Sequence, residues 1–163
     1  MTTTQHPTAP TAAELTKVIG KRSFCTIATS SPKQRSHAAG VLYEAVGTDI
    51  YINTDRDSRK VRNVVENPHV GVVIPVRRAP VGPPSEIQFQ GAAEVFAMDD
   101  PHIRGLLDQG KLKSITSHGE LDRPNGCFIR IVPNRRIHTY GLGMSLIQLI
   151  RDPLNAAGVV ELA

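Results

Sequence analysis

Residues 51–74 read YINTDRDSRKVRNVVENPHVGVVI, and their order decides the fold. YINT ends a β-branched, apolar run, the signature of a strand. SRKVRNVVEN, residues 58–67, carries Val61, Val64 and Val65 at helical spacing, and Asn67-Pro68 stops the helix. HVGVVIPV, residues 69–76, then reads as a strand buried on both sides. Arg56, Arg59, Lys60 and Arg62 crowd the helix start. A helix N-terminus already holds roughly half a positive charge and several unpaired N–H groups, so acidic residues belong there. A phosphate reverses the sign, collecting N–H groups, a guanidinium and an ammonium together. Asp57 or Ser58 can cap this helix, and Thr54 can add a hydroxyl. The alternative is plain: cations at a helix start often point into water, and Asp55 and Asp57 offset part of the charge.

Working outward, Thr11 is placed to cap a helix over residues 12–21 with Leu15, Val18 and Ile19 on one face. Strands are expected over 23–30, 36–46 and 48–54, the last two joined in a hairpin at Gly47. Residues 77–85 form a Pro/Gly loop, and 86–97 alternate, with Gly91 marking a bulge. Asp100-Pro101 starts a helix that Gly110 ends, and 127–140 read as a long strand broken at Pro133. Residues 141–150, GLGMSLIQLI, suggest a short closing helix. Six strands with few helices between them argue for an antiparallel barrel and against a parallel doubly wound sheet. The expected organisation is a loose tail over 1–11, one domain over 12–141, and a helix and tail over 142–163.

The bulk numbers narrow the function. With 163 residues the chain makes one domain with a real core, burying roughly 70% of its unfolded surface. A net charge of +4, few aromatic residues and no Trp argue against a nucleic-acid binder. MTTTQHPTAPTAAEL has neither a basic head nor an apolar stretch, so no signal peptide is expected, and with no apolar run long enough to span a membrane a cytoplasmic location is expected. Cys25 and Cys127 sit in apolar runs and read as buried thiols. The six histidines show no zinc-ligand spacing, so no metal site is expected, and G-x-S-x-G is absent. Gly141-Leu142-Gly143 lacks the third glycine of a dinucleotide loop and reads as a strand exit. The basic loops 77–85 and 111–118 are candidates to close over a ligand, or simply solvated.

The order strand, Thr, short turn, Ser-Arg-Lys, apolar helix, Asn-Pro, strand resembles the flavin-binding split barrel of the pyridoxamine 5'-phosphate oxidase-like family. SHAAGVLYEAVGTDI before it and EIQFQGAAEVF after it extend the resemblance over about residues 12–141. The resemblance implies a mainly β (α+β) fold, a six-stranded antiparallel Greek-key split barrel with short flanking helices. It implies a homodimer with a flavin in the groove between subunits. It makes Arg59 and Lys60 the main ligands of the cofactor's phosphate, Ser58 and Thr54 secondary ones, with Asn53 nearby. The backbone of His37, Ala38, Ala39, Gly40 and Val41 would lie along the flavin ring, where small residues permit close approach; ordinary strand packing explains the same residues. Tyr140 would emerge at the barrel rim.

Two departures point away from pyridoxamine phosphate as substrate: there is no Trp, and the chain ends without the family's C-terminal Arg and Trp segment. The RIHTYG ending is similar to actinobacterial members, some of which bind a deazaflavin. The implied function is an oxidoreductase dependent on FMN or on the deazaflavin coenzyme F420, moving hydride to or from a small-molecule substrate. No catalytic residue is identified, His138 and Tyr140 being the weak candidates. The alternative is a non-enzymatic binder of haem or of a cofactor.

Overall fold

The computed structural model describes residues 9–162. The expected loose tail therefore lies largely outside the described residues. Helix α1 (Ala12–Gly20) begins with a capping box: Thr11 Oγ1 accepts from the Glu14 N–H at 3.2 Å, and the Glu14 carboxylate accepts from the Thr11 N–H at 2.8 Å. It buries Leu15 and Ile19 against the barrel.

Strand β1 (Phe24–Ser30) pairs antiparallel with β2 (Ser36–Leu42). The single strand expected over 36–46 is two. Tyr43 interrupts it, because its N–H donates to Ser23 O and its hydroxyl donates to Ile19 O, both at 2.8 Å. The chain resumes as β3 (Glu44–Val46) and turns at Gly47, where φ is +65°, into β4 (Asp49–Asp55). That is the expected hairpin, on a turn that needs a left-handed residue.

Helix α2 (Arg59–Glu66) leads to β5 (His69–Val76), which returns beside β1. The helix buries Val61 and Val64, but the third inward residue is Asn63, and Val65 faces solvent. Asn63 is tolerated inside because its Nδ2 donates to Thr29 Oγ1 at 2.9 Å. Strand β6 (Ser85–Ala97) pairs with β5, then helix α3 (Pro101–Asp108) precedes β7 (Gly126–Tyr140). Asp100 caps α3 by accepting from the His102 N–H at 2.8 Å.

The expected break at Pro133 does not occur. Pro133 sits opposite Gly91, where the β6–β7 register shifts, so its missing N–H falls at an irregularity in the ladder. A Cβ on Gly91 would lie 2.5 Å from Val132 O, which explains the glycine. Helix α4 (Leu146–Arg151) and strand β8 (Ala157–Glu161) end the chain.

The described residues form an eight-stranded sheet in the order β2-β1-β5-β6-β7-β4-β3, with β8 also on β7. Strand β7 is long enough for two partners along one edge: β4 against its first half and β8 against its second. The expected six strands thus become eight, by the division at Tyr43 and the addition of β8. The antiparallel sheet curls into a split barrel around Ile27, Ile50, Ile74, Ile87, Ile129 and Ile131. A smaller cluster lies on the other side of β4 and β7, where Tyr51 and Phe128 pack on Ile103 and Leu106 of α3 and on Leu112 and Ile115. That cluster sets the height of the loop beside α2.

Candidate functional site

Strand β4 carries Asn53 and Thr54 to the start of α2. The connecting turn is tied down from a distant part of the chain. Asp55 forms an ion pair with Arg123, Asp57 accepts from Asn125 Nδ2 at 2.6 Å, and the Arg56 N–H donates to Asn125 O at 2.9 Å. Asp55 is thereby paired with another cation, while Asp57, bonded to a neutral amide, keeps its charge beside the helix start. Ser58 is the N-cap residue, but its side chain makes no cap hydrogen bond, and no acidic residue stands in the first turn. Its Oγ is buried without a partner. Such a terminus holds free N–H groups, a helix dipole and two cations, offset only in part by Asp57.

A cavity of about 300 Å³ opens beside this terminus. Val41 and Leu42 of β2 and Asn53 and Thr54 of β4 form one side, and Lys60 borders it. Ser114, Ile115 and His118 face them from the loop after α3, with Glu120 and Arg123 beyond. Asn53 donates weakly to Met98 Sδ at 3.6 Å, but its Oδ1 is buried and unpartnered. Buried polar atoms are normally hydrogen-bonded, so orphaned oxygens on two adjacent elements fit a site built for a polar guest. Sequence reasoning marked loop 111–118 as a possible cover but missed Glu120 and Arg123; a mixed-charge loop carries no periodic signal.

The loop wall is held by Glu44. Its carboxylate accepts from the Leu112 N–H, from the Ser114 N–H at 2.7 Å and from Ser114 Oγ at 2.6 Å. Leu112 is fully buried at φ +63°, an uncommon conformation for leucine that these bonds help maintain. Further along, the Glu120 carboxylate accepts from the His118 N–H at 2.7 Å. That backbone bond, first among several effects, holds the Glu120 carboxyl below its ordinary value.

Strand β2 is an edge strand. His37, Ala38, Ala39, Gly40 and Val41 pair with β1 on one side, and no strand among the described residues pairs with their other edge. The unpaired edge carries backbone donors and acceptors toward the gap between β2 and β4. Ala39 and Val41 pack on the core, and His37 Nδ1 is buried and unpartnered. Gly40 has an internal explanation: a Cβ there would meet Phe24 Cζ at 2.7 Å.

Arg59 and Tyr140 stand furthest from the expected arrangement. Arg59 does not line the Lys60 cavity. It borders a separate hollow of about 470 Å³, between α2 and the β1–β2 turn. Tyr140 lies at the opposite end of β7 from Cys127, the residue paired with Thr54, and packs near Met144, Leu149 and Ala156. Within one chain, then, Asn53, Thr54, Lys60 and Val41 come together on one cavity, and Ser58, Arg59, His37, Ala38, Ala39, Gly40 and Tyr140 do not line it. Arg78, in the other basic loop, donates to Gly141 O at 3.0 Å and to Met144 O, so it fastens the loop to the chain after β7.

Both thiols are inert at neutral pH: burial pushes Cys25 up to about 12 and raises Cys127. No cluster of three or more metal-ligating side chains occurs among the described residues. No helix among them is long and apolar enough to cross a membrane.

A split barrel with an uncapped, cationic helix terminus beside its open edge defines a class of small β-barrel protein. The chain belongs to the pyridoxamine 5'-phosphate oxidase family, whose model matches residues 11–136. Solved structures of this fold bind different groups. The haem storage protein HutZ from Vibrio cholerae is 14% identical with a TM-score of 0.64, covering 77% of this chain and 91% of its own. An FAD-binding protein from Mesorhizobium loti is 17% identical with a TM-score of 0.63, covering 78% and 90%. An F420 reductase is 17% identical with a TM-score of 0.52, covering 72% and 91%. At these identities the likeness is one of fold. No curated protein matches the chain.

Proposed function

We propose that the protein is an oxidoreductase that binds a phosphate-bearing flavin-type cofactor, FMN or F420, with the phosphate against the start of α2. The observation that carries this reading is the uncapped terminus itself. Asp55 is paired with Arg123, no acidic residue stands in the first turn, Ser58 Oγ is buried without a partner, and Lys60 borders the adjoining cavity. A dianion there accepts from the free N–H groups, from Lys60 and from the Ser58 and Thr54 hydroxyls, while the free Asn53 Oδ1, itself an acceptor, suits a hydroxyl of the cofactor's chain. Arg59, on the other flank of the same helix end, adds to the attractive field. The open edge of β2, from His37 to Val41, offers donors and acceptors to a flat heteroaromatic ring, while Val41, Leu42 and Ile115 keep water from it. When bound, such a cofactor supplies hydride transfer at its ring.

A homodimer belongs to the same reading. Cross-strand neighbours Gly40, Thr26 and Val73 share the outer face, as do Ala38, Ala28 and Gly71, with Leu42 and Phe24 beside them. These three strands present no charged side chain in that patch, an uncharged surface suited to a second copy. Tyr140, remote from Lys60 within one chain, can reach a site only across such an interface.

Titration of FMN and F420 against the purified protein tests the proposal. The expected result is quenching of one cofactor's fluorescence, with affinity weakened by about 1–3 kcal/mol in Lys60→Gln, the loss of a charge-assisted contact. Absence of binding by both, or a Soret band in the purified protein, replaces this reading with the haem-binding one, for which His118 stands in the cavity wall.

A further inference from the structure

Helix α4 breaks the pattern of a helix docked on a barrel. Leu149 is buried, as docking requires, but Ile147 and Ile150 are apolar as well and each is 63% exposed. Just beyond the helix Leu154 is 93% exposed, and Val81, in loop 77–84, is 85% exposed, the two highest values for large apolar side chains among the described residues. Loop and helix are neighbours: Leu146 Cδ2 lies 3.9 Å from where a Cβ on Gly82 would stand. The patch is also held in place. Ser145 and Gln148 form a capping box, the Gln148 N–H donating to Ser145 Oγ at 3.2 Å and the Ser145 N–H to Gln148 Oε1 at 2.8 Å. Arg78 fastens the loop to Gly141 O and Met144 O. Val81, Ile147, Ile150 and Leu154 are thus presented to water on anchored backbone.

Apolar side chains scattered singly over a surface need no explanation, but a cluster on fixed backbone does. Its surroundings are basic. Residues 77–84 and 146–155 hold Arg77, Arg78 and Arg151 and one carboxylate, Asp152, whose oxygens accept from Asn155 Nδ2 at 2.9 and 3.0 Å. Glu86, at the foot of the loop, accepts from Gln88. Arg77 and Arg151 are exposed and form no ion pair among the described residues. Apolar knobs interleaved with arginines match the boundary of an anionic bilayer, where such side chains reach the acyl chains and guanidinium groups meet lipid phosphates. We propose that α4 and loop 77–84 dock the protein on an anionic membrane surface. The contact is peripheral, because six helical residues are far too few to cross a bilayer. A second copy suits the patch less well, since a two-fold contact would set these arginines against their own images. The patch follows the Tyr140 end of β7, whereas Thr54, on the Lys60 cavity, pairs with Cys127 near the other end, so docking leaves that cavity clear. The surface shares no residue with that cavity and does not depend on the cofactor.

Vesicles of phosphatidylglycerol and phosphatidylcholine in equal parts are the probe. Cosedimentation of the full chain at about 0.15 M salt should show binding to them, and binding roughly tenfold weaker or less to phosphatidylcholine alone. Ile147→Ser, Ile150→Ser and Leu154→Ser together should weaken binding to the anionic vesicles roughly tenfold or more. Val65→Ser, which removes a side chain 70% exposed on α2, should leave it unchanged. Circular dichroism checks that the triple variant is folded; Leu154→Ser alone serves if it is not. The proposal is overturned if the anionic vesicles are not bound, if phosphatidylcholine alone is bound as well, if the folded variant binds as the parent does, or if Val65→Ser weakens binding as much. It is overturned equally if the variant has a smaller oligomeric mass than the parent in solution without vesicles, because the patch would then join two copies of the chain.

Discussion

Replacing Glu44 by Ala should unfasten the wall of the Lys60 cavity without disturbing the barrel. The carboxylate serves three donors on the far loop: the Leu112 and Ser114 N–H groups and the Ser114 hydroxyl. Hydrogen bonds to a charged group contribute roughly 1.5–3 kcal/mol each. Ser114 is exposed, so water replaces most of what its two groups lose. Leu112 is fully buried, and its N–H is left unsatisfied at roughly 1–3 kcal/mol. Relaxation of Leu112 from φ +63° returns about 1 kcal/mol. A net loss of about 1–3 kcal/mol follows, confined to the loop because Ile115 and Leu112 belong to the satellite cluster and not to the barrel core. Amide hydrogen exchange reads this directly: Leu112 and Ser114 should exchange faster, while Ile52 and Ile129 in the barrel keep their protection. Cofactor affinity should fall in parallel, and Glu44→Gln should show a smaller effect because its amide oxygen still accepts. Unchanged exchange at Leu112 and Ser114 would refute the latch.

Gly91→Ala should destabilise the protein by about 1–3 kcal/mol in urea denaturation, since the new Cβ meets the Val132 carbonyl at 2.5 Å and Ile131 Cγ2 at 3.1 Å. Cys25 should resist alkylation in the native state at mildly alkaline pH and react once unfolded. Its folded value lies above the ordinary 9.0, so stability is intact below pH 9 and falls by about 1.4 kcal/mol per unit as pH rises toward about 12, measurable as a declining urea midpoint. Glu120 works in the opposite direction. Its value is held below the ordinary 4.5, so the turn at His118 is supported above that pH and loosens as pH falls through the lowered value; exchange of the His118 amide checks it.

The sequence alone determined the elements around the site. Helix α2 and its stop at Asn67-Pro68, the hairpin at Gly47, the bulge at Gly91 and the cap at Thr11 depend on neighbours a few residues apart, so local spacing reveals them. The cationic helix start was visible for the same reason. Only the tertiary structure decided whether that charge is balanced. Asp55 stands beside the cations in the sequence, yet Arg123, brought in by the approach to β7, pairs with it, while Asp57 gains only the neutral Asn125 amide. Only the fold gives Arg59 and Lys60, adjacent in the chain, different hollows, because it sets the β1–β2 turn against Arg59 and the loop after α3 against Lys60. Strand β8 was likewise hidden: its identity as a strand comes from the free edge of β7, a partner that no local pattern announces.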